Sequence, residues 1–541
     1  MSTPRRSFDV VVLGCGAAGL TAALAARAEG ASVAAFEKSS LIGGTTSMSG
    51  GIVWMPNNPA QAEAGIADST EAGIEYMMAL SHGLMDREMI ETLVTTGPEA
   101  IRFLERTSPL RFDIVTGYPD YQPEHPGGLP TGGRSLECEL FPFGELGPWA
   151  DRVRTRTAGA HIRVSEGPLG GGTGRIDPEL IAARRANNER GTGQALVAGL
   201  LKGLLDHGAT IETDARATRL LTSDGRVVGV EIETAEGLEH VDARSVIIAT
   251  GGFEWDADLV RTFLRGPMTT PASPPTNTGD GLRMAMRVGA ALGTMREAWW
   301  APVWQMPTKE GMETMLCLRE RTLPRSIIVN RDGRRFVNEA ANYNALSGGF
   351  HAFDATTFNY PNLPCWLVFD QEYLTQYGFG PVPPAGEAPA WIASGRTPSE
   401  LAAKIGVDPI GLERTIAVFN AGAEEATDPA FGRGSSAYDG WSGDRSRAGA
   451  QQTLGPLDAG PYYAVQIFSG ALGTKGGPLT DEDGRVLDVD GRVIEGLHAA
   501  GNAMAGVTGM TYGGAGGTLG PALTFGYRAG RAAAAVSARS S

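Results

Sequence analysis

The stretch Phe8-Asp-Val-Val-Val-Leu-Gly-Cys-Gly-Ala-Ala-Gly19 decides the fold of this chain. Its first six residues form a short, mostly apolar run that ends in glycine, which predicts a buried parallel strand. The glycines at 14, 16 and 19 follow the spacing GxGxxG, and the alanine- and leucine-rich segment 20–29 predicts a helix. A second strand is predicted at 32–36 and ends at Glu37. Together these segments predict a βαβ unit.

This βαβ unit is typical of dinucleotide-binding proteins, because its glycines let a pyrophosphate approach the helix N-terminus closely. An acidic residue about 20 positions after the glycines, such as Glu37, usually holds the ribose hydroxyls. The competing interpretation is a structural turn that binds no nucleotide. We predict that the nucleotide contacts come from Gly14, Gly16, Ala17, Ala18, Gly19 and Glu37.

The identity of the dinucleotide depends on segments far from this unit. The loop 38–51 is rich in glycine and hydroxyl side chains and is long enough to follow the rest of a dinucleotide. Two later segments, 246–252 and 496–501, each predict a strand that runs into glycine. NAD would leave the C-terminal segments unexplained, so we predict non-covalently bound FAD. The predicted contacts also include residues of the loop 38–51 and of the segment 246–252: Lys38, Gly43, Gly44, Thr45, Thr46, Ser49, Gly50, Gly51, Ala249, Thr250 and Gly251.

Composition excludes several other classes of protein. A net charge of −15 argues against nucleic acid and against anionic membranes as partners. The four cysteines contain no CxxC pair and the seven histidines show no metal-ligand spacing, so no metal site is predicted. The apolar run 10–13 is too short for a signal peptide or a membrane span. We therefore expect a cytoplasmic protein without a transmembrane segment.

At 541 residues the chain is too long for one ordinary core. Tryptophans and prolines become frequent and the βα alternation fades after about residue 290, which indicates an inserted domain. The predicted fold class is α/β, with a discontinuous Rossmann-like FAD-binding domain and an inserted α+β domain for substrate binding and catalysis. Its predicted parts are 1–285, 286–464 and 465–541. The segment 145–188 is predicted to be a surface excursion whose arginines are solvated.

The segment 509–526 places one phenol, Tyr512, in a run of glycines. Such a run lets the backbone approach a flat ligand and present N–H donors to it, or it forms a tight structural turn. Pro521 predicts the start of an apolar helix. Two further tyrosines are candidates. Tyr121 lies in a proline-flanked loop, and Tyr343 follows a predicted strand and turn. Trp299, Trp300 and Trp304 predict either an apolar substrate surface or interdomain packing.

At these residues the chain resembles the 3-ketosteroid Δ1-dehydrogenases, which are fumarate-reductase-like flavoproteins. The resemblance covers nearly the whole chain and includes the N-terminal unit, the loop 118–121, and the segments 277–281, 335–339, 472–477 and 500–502. Its most specific element is the spacing tyrosine-x-x-x-glycine of Tyr512 and Gly516. The resemblance implies further FAD contacts by Asn277, Asp280, Gly501, Asn502, Gly517 and Leu519.

The resemblance also implies a division of catalytic work for an FAD-dependent 3-oxosteroid 1-dehydrogenase. The Tyr512 hydroxyl and the Gly516 N–H hold the C3 carbonyl oxygen. Tyr343 takes the C2 proton with the help of Tyr121, and the C1 hydride goes to flavin N5. The implied partners are a steroid or another cyclic ketone and an electron acceptor whose identity is open.

Two related activities stay open as alternatives. One is a 3-ketosteroid Δ4-(5α)-dehydrogenase, which shares much of this layout. The other, more distant, is a reductase of unsaturated acids, although such enzymes usually have a proton-donating arginine where this chain has Tyr343. One residue departs from the family pattern, because Gly513 follows the tyrosine where proline is common.

Overall fold

The computed structural model describes residues 6–156 and 159–538. Within these residues the strands are β1 Arg6–Leu13, β2 Val33–Phe36, β3 Val53–Trp54, β4 Phe112–Ile114, β5 Ser135–Cys138, β6 Phe141–Pro142, β7 Glu189–Arg190, β8 Thr210–Glu212, β9 Arg216–Ser223, β10 Arg226–Thr234, β11 Gly237–Ile248, β12 Thr270–Pro271, β13 Leu292–Gly293, β14 Ala298–Thr308, β15 Gly311–Leu316, β16 Ser326–Val329, β17 Cys365–Asp370, β18 Ala393–Gly395, β19 Tyr462–Thr474, β20 Gly477–Pro478, β21 Arg485–Leu487 and β22 Val493–Ala499.

Helices account for much of the rest of the described chain. The α-helices are α1 Ala17–Ala28, α2 Gly44–Met48, α3 Pro59–Glu63, α4 Thr70–Ala79, α5 Arg87–Thr107, α6 Pro178–Ala186, α7 Thr192–Asp206, α8 Ala257–Phe263, α9 Asp280–Arg287, α10 Tyr343–Ser347, α11 Gln371–Tyr377, α12 Pro398–Ile405, α13 Pro409–Glu424, α14 Ala437–Ser442 and α15 Leu519–Ala538. Several begin with a polar cap followed by proline, as at Asp177, Thr397 and Asp408, where the side chain accepts a backbone N–H and proline loses no hydrogen bond.

The first sheet has eight strands and joins the N-terminal and C-terminal parts of the chain. Its central order is β21-β22-β11-β1-β2-β8, and β1 runs parallel to β2 and β11. The predicted strand–turn–helix at residues 8–29 is confirmed by β1 and α1. Residues Val10, Val11 and Val12 are fully buried, as expected for a central parallel strand with both faces covered.

The second sheet has seven strands and contains most of the middle of the chain. Its order is β15-β14-β19-β17-β16, with β12 and β18 also paired to β19. Two strands of this sheet lie outside or across the predicted boundaries of the inserted domain. β12 belongs to this sheet although it precedes residue 286, and the boundary at 464/465 falls inside β19, which pairs with β14 and β17. The ends of the predicted FAD-binding parts at 1–5 and 539–541, and residues 157–158, lie outside the described residues.

The segment 145–188 is only partly the solvated excursion that its composition predicts, because Arg152 is half-exposed whereas Arg163 is mostly covered. Arg163 pairs with Asp113 and with the buried Glu137, at 3.0 Å in each case. The short 3-10 turn Pro168–Gly170 follows, and its Leu169 carbonyl accepts a hydrogen bond from the Trp441 indole at 3.3 Å. This segment therefore covers part of the interior. None of the helices within 6–156 and 159–538 has the length and apolar character that crossing a membrane requires.

Candidate active site

One cavity is lined by residues of both sheets and by the segments between them. All of the predicted cofactor-binding residues line it except Gly19, Gly43 and Gly517. Those three pack directly behind the lining. A Cβ at Gly517 would lie 2.9 Å from the Tyr512 ring, and one at Gly43 would lie 2.9 Å from Ser47. The predicted cofactor-binding residues, which span about 500 positions of the sequence, therefore lie around one cavity.

One end of this cavity fits a dinucleotide pyrophosphate. The N-terminus of α1 faces it without an acidic residue in its first turn and without a side-chain cap, so its positive dipole end is left for an anion. The Ala17 N–H lies 3.1 Å from Thr46 Oγ1. Gly14 has a φ of +99°, and a Cβ there would lie 2.5 Å from the Ala249 carbonyl oxygen. Only glycine allows the turn to pass this close to the neighbouring strand.

The acidic residue that ends β2 is held in one orientation by two backbone donors. The Glu37 carboxylate accepts N–H bonds from Cys15 and from Ser39, both at 3.0 Å. Next to it the Lys38 ammonium bonds to Asp280 at 3.1 Å and to the Thr278 hydroxyl at 2.7 Å. These contacts fix a carboxylate beside the cavity, as ribose recognition requires.

At the other end of the cavity the three predicted catalytic tyrosines form a triangle. The ring centroids of Tyr121 and Tyr343 are 5.5 Å apart, those of Tyr121 and Tyr512 are 5.2 Å apart, and those of Tyr343 and Tyr512 are 5.4 Å apart. All three side chains are buried and all three line the cavity. Side chains from three distant parts of the chain thus meet at one point.

Backbone hydrogen bonds around Tyr121 link the three segments. The Tyr121 N–H donates to the Gly513 carbonyl at 3.0 Å, and the Asn342 amide donates to the Tyr121 carbonyl at 3.3 Å. The Gly513 carbonyl also accepts from the Tyr76 hydroxyl at 2.6 Å. The loop that carries Tyr121 is therefore tied to the neighbours of both other tyrosines.

A buried ion network holds the Tyr121 loop from below. Asp120 pairs with Arg134 at 2.7 Å, and Arg134 pairs with Asp68 at 2.6 Å, all three side chains being almost inaccessible to solvent. The other Asp120 oxygen accepts from the Trp54 indole at 2.7 Å. Breaking such a buried network is costly, so the network stabilises the position of the loop.

Tyr512 is oriented by the glycine-rich segment that carries it. The Thr518 hydroxyl donates to the Tyr512 hydroxyl at 2.9 Å, which leaves the Tyr512 proton free for another acceptor. The Trp299 ring packs edge-on against Tyr512 at 4.8 Å, while Trp300 and Trp304 are fully buried packing residues. Of the three tryptophans, Trp299 alone contacts the triangle.

Gly516 lies close to Tyr512 along the same segment. It has a φ of +97°, and a side chain there would collide with the backbone of Ile52 and Trp54. Among the residues that the structure describes, its N–H meets no acceptor. A free N–H on the cavity wall beside a phenol is the donor pair that a ketone oxygen needs.

The turn before Tyr343 is fixed by a second ion network. Glu339 is fully buried and pairs with Arg335 at 2.6 Å and with Arg433 at 3.2 Å. Tyr343 then begins α10, whose N-terminus is capped by the Asn342 side chain. The segment 335–339 therefore acts as an anchor, and Tyr343 is the residue that reaches the cavity.

Burial raises the pKa of the Tyr343 phenol well above 10, and the neighbouring Tyr512 raises it further. A hydrogen bond from Tyr121 acts in the opposite direction and lowers the Tyr343 pKa. Burial also raises the pKa of Tyr512, while the Thr518 hydroxyl lowers it. The phenols of the unliganded site are therefore neutral. The hydrogen bond from Tyr121 favours the deprotonated form of Tyr343 and offsets part of the effect of burial.

Sequence reasoning missed several residues at this end of the cavity. Tyr118 and Tyr438 line it, and the Tyr438 ring packs edge-on against Tyr121 at 4.9 Å. Arg319 and Arg321 also line it and come from the connection between β15 and β16. The sequence signal for the two arginines is the charge-rich run Arg319-Glu-Arg321 between apolar segments.

The described residues contain no group of three or more His, Cys, Asp or Glu side chains placed to hold a metal ion. The four cysteines are free and buried. The N-terminus of α1 and the Glu37 carboxylate offer contacts to which an organic cofactor would bind.

Comparisons with known proteins find relatives that match nearly the whole chain. The family of the FAD binding domain matches residues 9–519. The chain is 43% identical over 547 residues to the 4-oxocyclohexanecarboxylate 2-dehydrogenase of Sinomonas cyclohexanicum, covering 99% of this chain and 95% of that protein. It is 37% identical over 572 residues to the 3-oxosteroid 1-dehydrogenase of Mycolicibacterium smegmatis, covering 99% and 98%.

A solved structure resembles the whole chain as well. The 3-ketosteroid Δ1-dehydrogenase of Sterolibacterium denitrificans, in complex with 1,4-androstadiene-3,17-dione, superposes with a TM-score of 0.91 at 33% identity. The match covers 98% of this chain and 100% of that one. The cavity thus lies in a fold that binds FAD.

Proposed function

We propose that this chain, which belongs to the FAD-dependent 3-ketosteroid Δ1-dehydrogenase family, forms a double bond next to the carbonyl of a cyclic ketone, as in the 1,2-desaturation of a 3-ketosteroid. The observation that carries the proposal is the meeting of Tyr121, Tyr343 and Tyr512 beside the free N–H of Gly516. The location in the cytoplasm and the division into FAD-binding and substrate-binding parts remain predictions.

Each tyrosine has one step in the proposed mechanism. The Tyr512 hydroxyl and the Gly516 N–H donate to the C3 carbonyl oxygen and stabilise the negative charge that develops there. The Tyr343 oxygen takes the proton as the C2–H bond breaks, and the Tyr121 hydroxyl stabilises Tyr343 while it is deprotonated. FAD would be held by the N-terminus of α1 and by Glu37, and it would supply a two-electron acceptor for the hydride of the C1–H bond. The electrons left by the proton form the new bond between C1 and C2.

The proposal is tested by the reaction product. Wild-type enzyme with 4-androstene-3,17-dione and an artificial acceptor should yield the 1,4-diene, which NMR distinguishes from any other desaturation position. A 4,5-desaturated product from a 5α-reduced steroid would favour the Δ4-(5α) alternative. If fumarate or an acrylate reoxidised the reduced enzyme and no ketone reduced it, the chain would be a reductase of unsaturated acids.

A second candidate substrate is 4-oxocyclohexanecarboxylate. This is the substrate in the name of the relative from Sinomonas cyclohexanicum, and it carries the same ketone on a single ring. The observation that favours it is the presence of Arg319 and Arg321 on the cavity wall, because a steroid without a carboxylate offers no partner to a guanidinium. The same tyrosine chemistry would apply to both substrates.

We predict that the protein holds FAD without a covalent bond. No histidine lines the cavity within the described residues, and the cysteine that does, Cys15, is fully buried with a pKa raised by its burial and by Glu37. Denaturing the yellow protein with acid and removing the precipitate should leave all FAD in the supernatant. Flavin that stayed with the washed precipitate would contradict the prediction.

We predict that activity increases with pH. Because burial holds the pKa of Tyr343 well above 10, only a small fraction of the enzyme carries a phenolate at neutral pH. Below that pKa the fraction grows about tenfold per pH unit, and kcat/KM should follow it. Initial rates measured with a dye acceptor across the neutral and alkaline range test this. A plateau of kcat/KM already at neutral pH would show that another group, or a Tyr343 of much lower pKa, limits the reaction.

A further inference from the structure

The cavity contains an excess of positive charge that the desaturation chemistry does not use. It comes from Arg319 and Arg321, which lie on the connection that follows β15. The residues Leu316 and Leu318 of the same connection pack against the cluster that contains Tyr121, Tyr343 and Tyr512. The two guanidinium groups are therefore close to the place where the ketone ring would sit.

Arg321 is an almost completely buried cation without an anionic partner. Its side chain donates to the carbonyls of Cys317 at 2.9 Å and Ala341 at 2.7 Å, and to the Glu339 carbonyl. These carbonyl groups bind the Nε and Nη1 donors and fix the position of the guanidinium, but they do not neutralise its charge. No carboxylate among the described residues forms an ion pair with it. Buried charges are normally paired, so this one calls for an anion nearby.

Arg319 differs from Arg321 because its side chain is not tied down. It is half-buried, it lines the cavity, and among the described residues it makes no side-chain hydrogen bond or ion pair. Its planar fork of donors is therefore available to a ligand, and a carboxylate is the group that this fork matches best.

One acidic residue, Glu320, stands between the two arginines. Burial raises the pKa of the Glu320 carboxyl, whereas the charges of Arg319 and Arg321 lower it. Even a fully ionised Glu320 balances only one of the two cations. The connection thus carries a net positive charge toward the cavity, in a protein whose overall charge is −15.

We propose that Arg319 binds a carboxylate on the substrate, so that the natural substrate is a cyclic ketone bearing an acid group away from its carbonyl. This inference rests on the proposed desaturation at the same site and adds the substrate class. The ketone oxygen is held by Tyr512 and Gly516, and the carboxylate by Arg319, while Arg321 adds a fixed positive charge. Two anchors at opposite ends of a small ring would orient the bond between its carbons α and β to the carbonyl, without the large apolar contact area of a steroid.

The test compares matched acid and ester substrates. The holoenzyme is reduced anaerobically with 4-oxocyclohexanecarboxylate, with its methyl ester and with 4-androstene-3,17-dione, and the rate of flavin bleaching is measured for each. The same series is run on Arg319→Leu, Arg319→Lys and Arg396→Leu. Arg396 is 87% exposed and pairs with Glu400 on the surface, so its loss controls for removing a positive charge elsewhere.

We expect wild type and Arg396→Leu to prefer the acid over the ester. Arg319→Leu should lower kcat/KM for the acid by about 10- to 150-fold, the range of a hydrogen bond to a charged group, and leave the ester unaffected. Arg319→Lys should retain part of the preference because it keeps the charge but loses the fork. Equal rates with acid and ester in wild type, or equal losses for both in Arg319→Leu, would overturn the carboxylate site.

A binding measurement separates this inference from the proposed reaction. 4-Hydroxybenzoate and its methyl ester cannot be dehydrogenated at this ring, and their binding is followed by the change in the flavin absorbance. Tighter binding of the acid in wild type, lost in Arg319→Leu, would support the carboxylate site even if every ketone failed to reduce the flavin. If ketones reduce the flavin but neither rates nor binding respond to the acid group, the desaturase stands and the carboxylate site is wrong.

Discussion

Replacing Tyr343 by phenylalanine is expected to slow the reduction of bound FAD by a ketone substrate by about 10²–10⁴-fold, the usual contribution of a positioned general base. The variant keeps the ring and therefore its contacts to Tyr121 and Tyr512, but it removes the only atom proposed to take the C2 proton. FAD binding and substrate affinity should be preserved, since neither depends on this hydroxyl. Anaerobic stopped-flow measurement of flavin bleaching gives the rate directly.

The control is Tyr463→Phe, which removes a buried phenol hydroxyl on β19 that bonds to Gln371 at 2.7 Å and does not line the cavity. It should bleach at the wild-type rate. Flavin reduction in Tyr343→Phe at a rate close to that of wild type would remove Tyr343 as the base. A loss of bound FAD in that variant would indicate a structural role.

Replacing Tyr512 by phenylalanine is expected to lower the rate of flavin reduction by about 10²–10³-fold, the typical cost of losing one donor to a developing oxyanion. The C2 hydrogen is acidic only while the ketone oxygen is held by strong donors, so the base cannot act effectively when one donor is missing. Part of the stabilisation of the ketone oxygen should remain, because the substitution leaves the Gly516 N–H in place. The rate constant at saturating substrate and the dissociation constant are measured in the same stopped-flow titration.

Thr518→Val provides a graded comparison. It leaves the Tyr512 hydroxyl in place and removes only the donor that orients it at 2.9 Å, so its loss should be clearly smaller than that of Tyr512→Phe. If Thr518→Val were as slow as Tyr512→Phe, the orientation of the loop and not the donated proton would be the important factor. If neither variant slowed the reaction, the ketone would have to be held elsewhere.

The nucleotide end of the site could be predicted from the sequence because its determinants are local. The strand, the glycine turn, the helix and the acidic residue all fall between Phe8 and Glu37, and each leaves a pattern in composition or spacing. The predicted bounds of the first strand lie close to those of β1, because the run of valines that predicts the strand is also buried on both faces.

The predicted domain boundary at 464/465 falls inside β19, which spans Tyr462–Thr474. The composition of the chain changes near this position. The strand β19 nevertheless continues for 13 residues, because both of its edges pair with other strands. Which strands pair is decided by contacts between distant segments. The composition of one segment therefore cannot show where a sheet ends.

Gly513 follows Tyr512 at the position where the family resemblance predicts proline. The Gly513 carbonyl accepts hydrogen bonds from Tyr76 of α4 and from the Tyr121 loop, and a Cβ at this position would lie 3.0 Å from the Met77 sulfur. The small residue thus fits a crowded position beneath Tyr512. This crowding comes from α4, a helix more than 400 residues earlier in the chain, so it left no local signal.

The sequence by itself determined that this chain binds a dinucleotide, because the βαβ unit is encoded within some 30 consecutive residues, and the family resemblance identified the three tyrosines. Only the tertiary structure decided that Tyr121, Tyr343 and Tyr512 meet within 5.5 Å and that Arg319 and Arg321 face the same cavity. The physical reason is that a cavity wall is assembled by packing between segments distant in sequence. Hydrophobic periodicity records which face of a segment is buried, but it carries no information about which other segment covers that face.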